Sequence, residues 1–446
     1  MIYAAKLLEI VAYGLMTGTV ILWLSADLGF TDAGAGDVYA WWSTGISLVT
    51  LLVGSLTDTI GIKKSFILGF LICVVTRAVM AGTSEPWIAL TFGLFPGAAG
   101  IALMVPVMTA AVKAYSSPAQ RSMAFSIYYA LMNVGFAISG WVFDAVRRSM
   151  GEYGTAHMLG MEMSTYRVLF LVAFVATVPG LIITWLLIRE KGEAAPQGSV
   201  LGTVTETARK TVSTFAGVWK EKTFYRFLGF LALVVGVRLV FYHMHATFPK
   251  FAIRELGEGA PIGQLWGVLN PVLIVLLVPL VGALTGRISS YTMVLVGTAI
   301  CTLAVGFLVI DPSHYQGLAD GWLGDLIAHR WLGVAGPVNP WYVSIALFAV
   351  LTSVGEAFWS PRLYEYTAAI APKGQEASYM ALSLLPYFVA KFGVGMLSGR
   401  LLAAFVPETG ARDPSMLWLM VAAMAAVCPV GLLVFQRQLR VKEEGR

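Results

Sequence analysis

The chain has 446 residues, of which 58% are hydrophobic and 12% charged, with a formal net charge of +5. A soluble domain carries about twice that charged fraction, so the composition and the mean hydropathy of +0.76 exclude one. Apolar runs of about 20 residues recur along the length, enough to cross a bilayer as a helix, which excludes a β-barrel, whose strands alternate over about 10 residues.

Twelve helical spans are predicted, at about 4–29, 36–57, 65–83, 87–113, 122–147, 166–188, 223–249, 262–286, 291–310, 340–361, 378–405 and 414–436. The first run begins almost at Met1 and lacks a small-residue cleavage site, so it reads as a retained span rather than a signal peptide. The three cysteines, Cys73, Cys301 and Cys428, fall in separate runs, which argues against a disulfide framework or a cysteine metal site.

Between spans six and seven lies the most charged stretch, from Arg189 to Arg226. It divides the chain into an N-terminal six-helix bundle (1–188), a linker (189–222) and a C-terminal six-helix bundle with a short tail (223–446). Val200, Val204, Val212 and Phe215 stand among basic and polar residues of the linker. It reads either as an amphipathic helix on the membrane surface or as a solvated connection. With both termini inside, about 19 lysines and arginines are cytoplasmic and about 7 external, so the positive-inside rule favours that orientation. These basic residues set topology, and no nucleic-acid partner is expected.

The loop after span two reads Gly54-Ser55-Leu56-Thr57-Asp58-Thr59-Ile60-Gly61-Ile62-Lys63-Lys64, and Gly282-Ala283-Leu284-Thr285-Gly286-Arg287 is its weaker echo in the second half. The first resembles the G-x-x-x-D-x-x-G-x-[KR]-[KR] loop of the major facilitator superfamily. That resemblance implies an all-α polytopic membrane protein with two pseudo-symmetric six-helix bundles around a cavity, rocking to give alternating access. Gly54, Asp58, Gly61, Lys63 and Lys64 are then the candidate gating loop.

Three further stretches are similar to the proton-dependent oligopeptide transporter family. Tyr128-Tyr129-Ala130-Leu131-Met132-Asn133-Val134-Gly135 resembles its F-Y-x-x-I-N-x-G signature. Leu269-Asn270-Pro271 with Ile274 and Pro279 resembles its N-P-x-x-I-x-x-x-x-P run, and Gly355-Glu356, Ser360-Pro361 and Ala371-Pro372 its span-ten pattern. The departures lie in span one and span four. Lys6-Leu7-Leu8-Glu9-Ile10 stands where the family has E-x-x-E-R, and Val105 precedes Pro106 where the family often has lysine. In the family the missing arginine and lysine are associated with the carboxylate end of a peptide and with proton coupling.

Ionisable groups inside a span are costly when they face lipid, and so point to a transport path or to a structural ion pair. Glu9, Arg77, Arg238, Glu356 and Lys391 qualify. Arg77, deep in span three, is expected to pair within the first bundle. Glu356 and Lys391 lie near the middle of spans ten and eleven. They read either as a proton-coupling pair, with Glu9 a second coupling carboxylate, or as a permanent packing pair. The resemblance places Tyr39, Tyr129, Asn133, Arg238, Asn270 and Trp359 along the substrate cavity. His243 and His245, two apart on a helix, are a poor chelate; one of them serves as a proton relay or neither does. Asp144, Arg147 and Arg148, and at the other face Arg362 and Glu365, read as gates or interfacial anchors.

No Walker loop, H-E-x-x-H or G-x-S-x-G motif occurs, so no enzyme, metal or cofactor is expected. The reading is a proton-coupled symporter of a small organic solute, a short peptide or amino-acid-like compound. The alternative is a proton-driven exporter of an amphipathic drug or lipid-like molecule on the same fold. Either is expected to work as a monomer in the lipid bilayer, in a bacterial inner (plasma) membrane, with small-molecule substrate and protons as partners.

Overall fold

Backbone amides in lipid have no water to bond, so an apolar run must satisfy them within itself, as a helix does. The computed structural model describes residues 1–117, 120–188, 222–370 and 385–440, with isolated positions 202, 205 and 209. The side chains of 51–59 are outside that description. Cα proximity divides the chain into two compact units, Met1–Ser213 and Thr214–Arg446. Most of the 189–222 linker is outside the described residues.

In the first unit, spans one to three are the helices Ile2–Ala26, Asp32–Ile60 and Ile62–Gly82. Spans four to six are Pro86–Tyr115, Arg121–Met150 and Thr165–Leu187. In the second, spans seven to nine are Lys222–Ala246, Gly263–Leu284 and Ser290–Val309. Spans ten to twelve are Trp341–Ile370, Leu385–Phe405 and Pro414–Val434. Among the described residues, 11 helices are long and apolar enough to cross a membrane. The twelfth expected span falls on Asp32–Ile60, a helix of 29 residues partly outside the side-chain description.

Two boundaries differ from the sequence reading. The loop expected from Gly54 is helical as far as Ile60, and the turn between spans two and three is Gly61 alone, at φ +88°. Only glycine adopts that conformation without a steric penalty. Span ten continues past Pro361 to Ile370. Its polar end is satisfied: Arg362 donates to Glu365 (2.7 Å) and to the Thr285 carbonyl (3.3 Å), and Ser290 donates to Glu365 (3.1 Å).

The connections carry structure of their own. After span five a two-stranded antiparallel hairpin, Thr155–Met158 and Met161–Ser164, turns through Leu159 and Gly160, both at positive φ. That is the hairpin turn matched to strand twist. A short helix, Phe248–Leu256, follows span seven, and helical turns at 312–331 join spans nine and ten.

Each unit has a packed interior. Phe66, Phe70, Met104 and Met108 form part of one, and Phe230, Tyr291, Trp359 and Tyr366 part of the other. Trp185, Leu276, Leu303 and Val434 are exposed along spans, as expected of a surface facing lipid. Lipid is as apolar as these side chains, so helix association depends on close packing and small residues. Spans nine and ten show this at Gly355, where a Cβ would lie 2.6 Å from Cys301 Sγ and 2.7 Å from the Gly297 carbonyl oxygen.

Candidate functional site

In the second unit, spans seven, eight, ten and eleven bring five of the expected residues into one polar group. Glu356 follows Gly355, so the tight seam between spans nine and ten sets its height. Its Oε2 accepts from Asn270 Nδ2 at 3.0 Å, and Asn270 donates also to Ser353 Oγ at 3.0 Å. Ser353 and Glu356 are three apart and share a helix face. A wide π-helical turn, Gly263–Val268, ends one residue short of Asn270, with Leu269 between them; such turns recur at functional sites.

Arg238, on span seven, is the charged neighbour of Glu356. Its guanidinium carbon lies 4.4 Å from the Trp359 ring centroid and 4.3 Å from that of Tyr387, whose hydroxyl accepts from Nη2. Cations over aromatic faces are favoured by the ring quadrupole. Lys391 lies 5.7 Å from the Tyr242 ring centroid and has Arg238 as a charged neighbour.

The expected Glu356–Lys391 pair is therefore replaced. Glu356 is held by Asn270 and sits in the field of Arg238, while Lys391 faces Tyr242. The lysine and the carboxylate are on adjacent spans in sequence, but the helix rotations direct them to different partners.

In the first unit, Glu9 accepts from Lys6 Nζ at 2.6 Å, with both side chains buried. Lys6, which replaces a family glutamate, thus supplies the counter-charge within the same helix turn. Tyr13 and Tyr128 are electrostatic neighbours of Glu9. Tyr39 is buried with its ring 5.7 Å from that of Trp42. Tyr129 is exposed, and Asn133 Nδ2 donates to its carbonyl at 2.9 Å along the same helix. Lys63 and Lys64 follow Gly61 at the start of span three, half-buried and exposed. Gly54 and Asp58 lie on the helix of span two, where side chains are outside the described residues.

Arg77 is buried and donates to Thr177 of span six. Its partner is a hydroxyl, a choice its sequence position could not reveal. Arg147, expected as a gate or anchor, is buried between Asp144 (3.2 Å) and Glu152, and Tyr166 donates to Glu152 at 2.6 Å. His243 and His245 use separate partners, Thr247 Oγ1 at 2.7 Å and the Phe241 carbonyl at 3.0 Å. Among the described residues no group of three or more His, Cys, Asp or Glu could hold a metal ion.

Sequence reasoning missed Ser353, Tyr242 and Glu152, and Tyr387 was not among the expected cavity residues. Two of these had a signal: Tyr242 is four residues after Arg238 and Tyr387 four before Lys391, the spacing that aligns side chains on one helix face.

The sequence matches the Major Facilitator Superfamily model over residues 2–319. The chain belongs to that superfamily of membrane transporters. Its fold is similar to that of solved POT family transporters. One, in complex with 5-aminolevulinic acid, matches with a TM-score of 0.72 at 16% identity, over 99% of this chain and 96% of that one. Tetrameric PepTSo2 matches with a TM-score of 0.67 at 19% identity, over 98% of each chain. A structure describing substrate recognition in proton dependent oligopeptide transporters matches at 0.69 and 20%, again over 98% of each. At these identities the likeness is one of fold. No curated protein sequence matches the chain.

Proposed function

We propose that this chain is a secondary transporter that carries a small organic solute, peptide-like or amino-acid-like, by alternating access, with proton movement coupled through Glu356. The observation that carries the reading is a carboxylate near the middle of span ten, held by the Asn270 amide and faced by Arg238. An ionised carboxylate at that depth needs such partners, whereas a neutral carboxyl crosses a dry state at lower cost. Protonation of Glu356 is thereby tied to conformation. The fold neighbours described as peptide transporters support the solute class.

Glu9 is the second coupling carboxylate in this reading, with Lys6 as its local counter-charge. Asp58, in the last turn of span two before Gly61, secures the connection to span three that gates the bundles in this reading, and Asp58→Asn slows turnover while leaving folding largely intact. The termini and the 189–222 linker face the cytoplasm, and one chain is the transport unit. Single cysteines at Ser199 and Gly445 test the orientation: labelling of either from outside intact cells removes it.

The deciding experiment reconstitutes wild-type protein and Glu356→Gln in proteoliposomes. The variant loses uptake driven by a pH gradient and keeps solute exchange without one, because the amide mimics the protonated acid. A stable Glu356→Gln protein still driven by the gradient removes the coupling role.

A further inference from the structure

The connection between spans nine and ten is a series of helical turns that folds back on the helices it joins. The turns are Pro312–Tyr315, Gln316–Ala319, Trp322–Gly324 and Asp325–Trp331. All four pack against span ten. Tyr315 is buried, with its ring 6.4 Å from that of Phe307 in the last turn of span nine. Ala319, Ile327, Ala328 and Leu332 are buried as well. One side of the segment is therefore fixed to the ends of two membrane spans.

Another side is apolar and open. Leu318, Trp322 and Leu326 are exposed, Trp322 at 75%. Trp322 and Leu326 are four residues apart, the spacing of one helix face, and Leu318 stands four before Trp322, ahead of a bend at 320–321. Single exposed apolar side chains are ordinary. Three large ones within nine residues of a connecting segment mark an interaction surface.

The level of this surface says what covers it. Ile310, also exposed, caps span nine two residues before the segment begins, and Leu303, two turns earlier, is exposed on the span itself. At about 1.5 Å of rise per helical residue, Trp322 is tethered within about 20 Å of that lipid-facing surface. Packing of every turn on span ten keeps the segment beside the bilayer rather than out in water. The charges around Trp322 are matched locally: Asp320 accepts from Gln316 at 2.8 Å, and Asp325 accepts from Arg330 at 2.7 Å. Three aspartates, Asp311, Asp320 and Asp325, stand against one arginine in residues 311–331, so attraction to anionic headgroups is not what would hold the segment. Tryptophan, with an apolar ring and a polar N–H, is enriched at the membrane–water interface. An amphipathic segment lies there with its apolar face buried about 5–10 Å.

We propose that residues 312–331 form an interfacial anchor, which inserts Leu318, Trp322 and Leu326 into the headgroup–acyl boundary of the bilayer and needs no anionic lipid. The anchor stands whether or not protons move through Glu356.

Single nitroxide labels at Leu318→Cys and Leu326→Cys test it, with Leu303→Cys as the lipid-facing reference. The native cysteines Cys73, Cys301 and Cys428 are buried, and wild-type protein taken through the same labelling is the control for them. Each full-length variant is reconstituted in phosphatidylcholine vesicles. Power saturation then compares collisions with oxygen, which concentrates in the bilayer, and with a water-soluble nickel chelate. At both positions of the segment oxygen accessibility exceeds nickel accessibility, as at Leu303, and added phosphatidylglycerol leaves that order unchanged. Labels more accessible to nickel than to oxygen overturn the proposal. Labels shielded from both reagents also overturn it, because another protein surface then covers the segment, as does an oxygen excess that appears only with phosphatidylglycerol. Should the labelled variants fail to fold, tryptophan emission decides. The part of the wild-type emission that is lost in Trp322→Phe is quenched when the phosphatidylcholine carries bromine on its acyl chains; if that part is unquenched, the anchor is excluded.

Discussion

Glu356 and Asn270 meet across spans ten and eight, the Asn270 amide nitrogen donating to Glu356 Oε2 at 3.0 Å and to Ser353 Oγ at the same distance. One amide thus fixes two side chains of span ten, and the carboxylate's position depends on a neutral donor rather than on a lysine. Glu356→Gln preserves an acceptor for that donor, so its unfolding temperature stays near wild type while gradient-driven uptake is lost. Asn270→Leu removes the donor from both partners and costs about 1–3 kcal/mol. Thermal unfolding in detergent separates the two variants; equal destabilisation by both would show that Asn270 does not hold the carboxylate.

Gly355 is the point where spans nine and ten touch backbone to backbone. Gly355→Ala places a methyl 2.6 Å from Cys301 Sγ, 2.7 Å from the Gly297 carbonyl oxygen and 2.9 Å from Cys301 N. The expected loss of stability is about 1–3 kcal/mol, the range for overpacking, with reduced transport because Glu356 is the next residue. Cys301→Ala relieves only the sulfur contact, so the double variant recovers part of the loss. Full recovery would place the clash on the side chain alone.

Arg147 is enclosed by Asp144 and Glu152 at the end of span five, with Tyr166 donating to Glu152. Arg147→Met leaves buried carboxylates without their cation and costs about 3–5 kcal/mol. Glu152→Gln costs less, because a glutamine oxygen still accepts from Arg147 and Tyr166. A double-variant cycle on unfolding temperature measures the coupling, and additive effects would count against the network.

Between spans nine and ten, His329 faces the Gly336 carbonyl (3.0 Å) and Asp325 (3.1 Å), and Arg330 donates to Asp325 at 2.7 Å. The Gly336 carbonyl and Asp325 raise the His329 pKa, and hydrogen bonds from His329 lead the causes that lower that of Asp325. A raised histidine pKa stabilises the turn below the ordinary histidine value, and that contribution fades as pH rises through the raised one. The lowered carboxylate pKa contributes above the ordinary carboxylate value and fades as pH falls through the lowered one. The turn is therefore tightest between the two ranges. Hydrogen exchange at 332–336 should be slowest in that window, and His329→Gln should abolish its alkaline edge. A profile unchanged in His329→Gln excludes this pair as the cause.

The placement of the spans was readable in the chain, 11 of the twelve expected falling on helices long and apolar enough to cross a membrane among the described residues, because bilayer thickness demands apolar runs of about 20 residues, whatever packs beside them. Lysine and arginine asymmetry, the glycine at position 61 and the mid-span charges were readable for similar local reasons. Partner choice was not. Most of these spans are apolar nearly all round, so periodicity does not say which face of a helix meets which neighbour. Glu356 and Lys391, near mid-depth on consecutive spans, therefore looked like a pair. Tertiary packing turns Glu356 to Asn270 and Lys391 to Tyr242, gives Arg77 a hydroxyl partner, and brings Glu152 from a connecting turn onto Arg147. Membrane depth follows from counting residues along one helix, whereas rotation about the helix axis is set by close contacts such as Gly355 on Gly297, which form only when two spans meet.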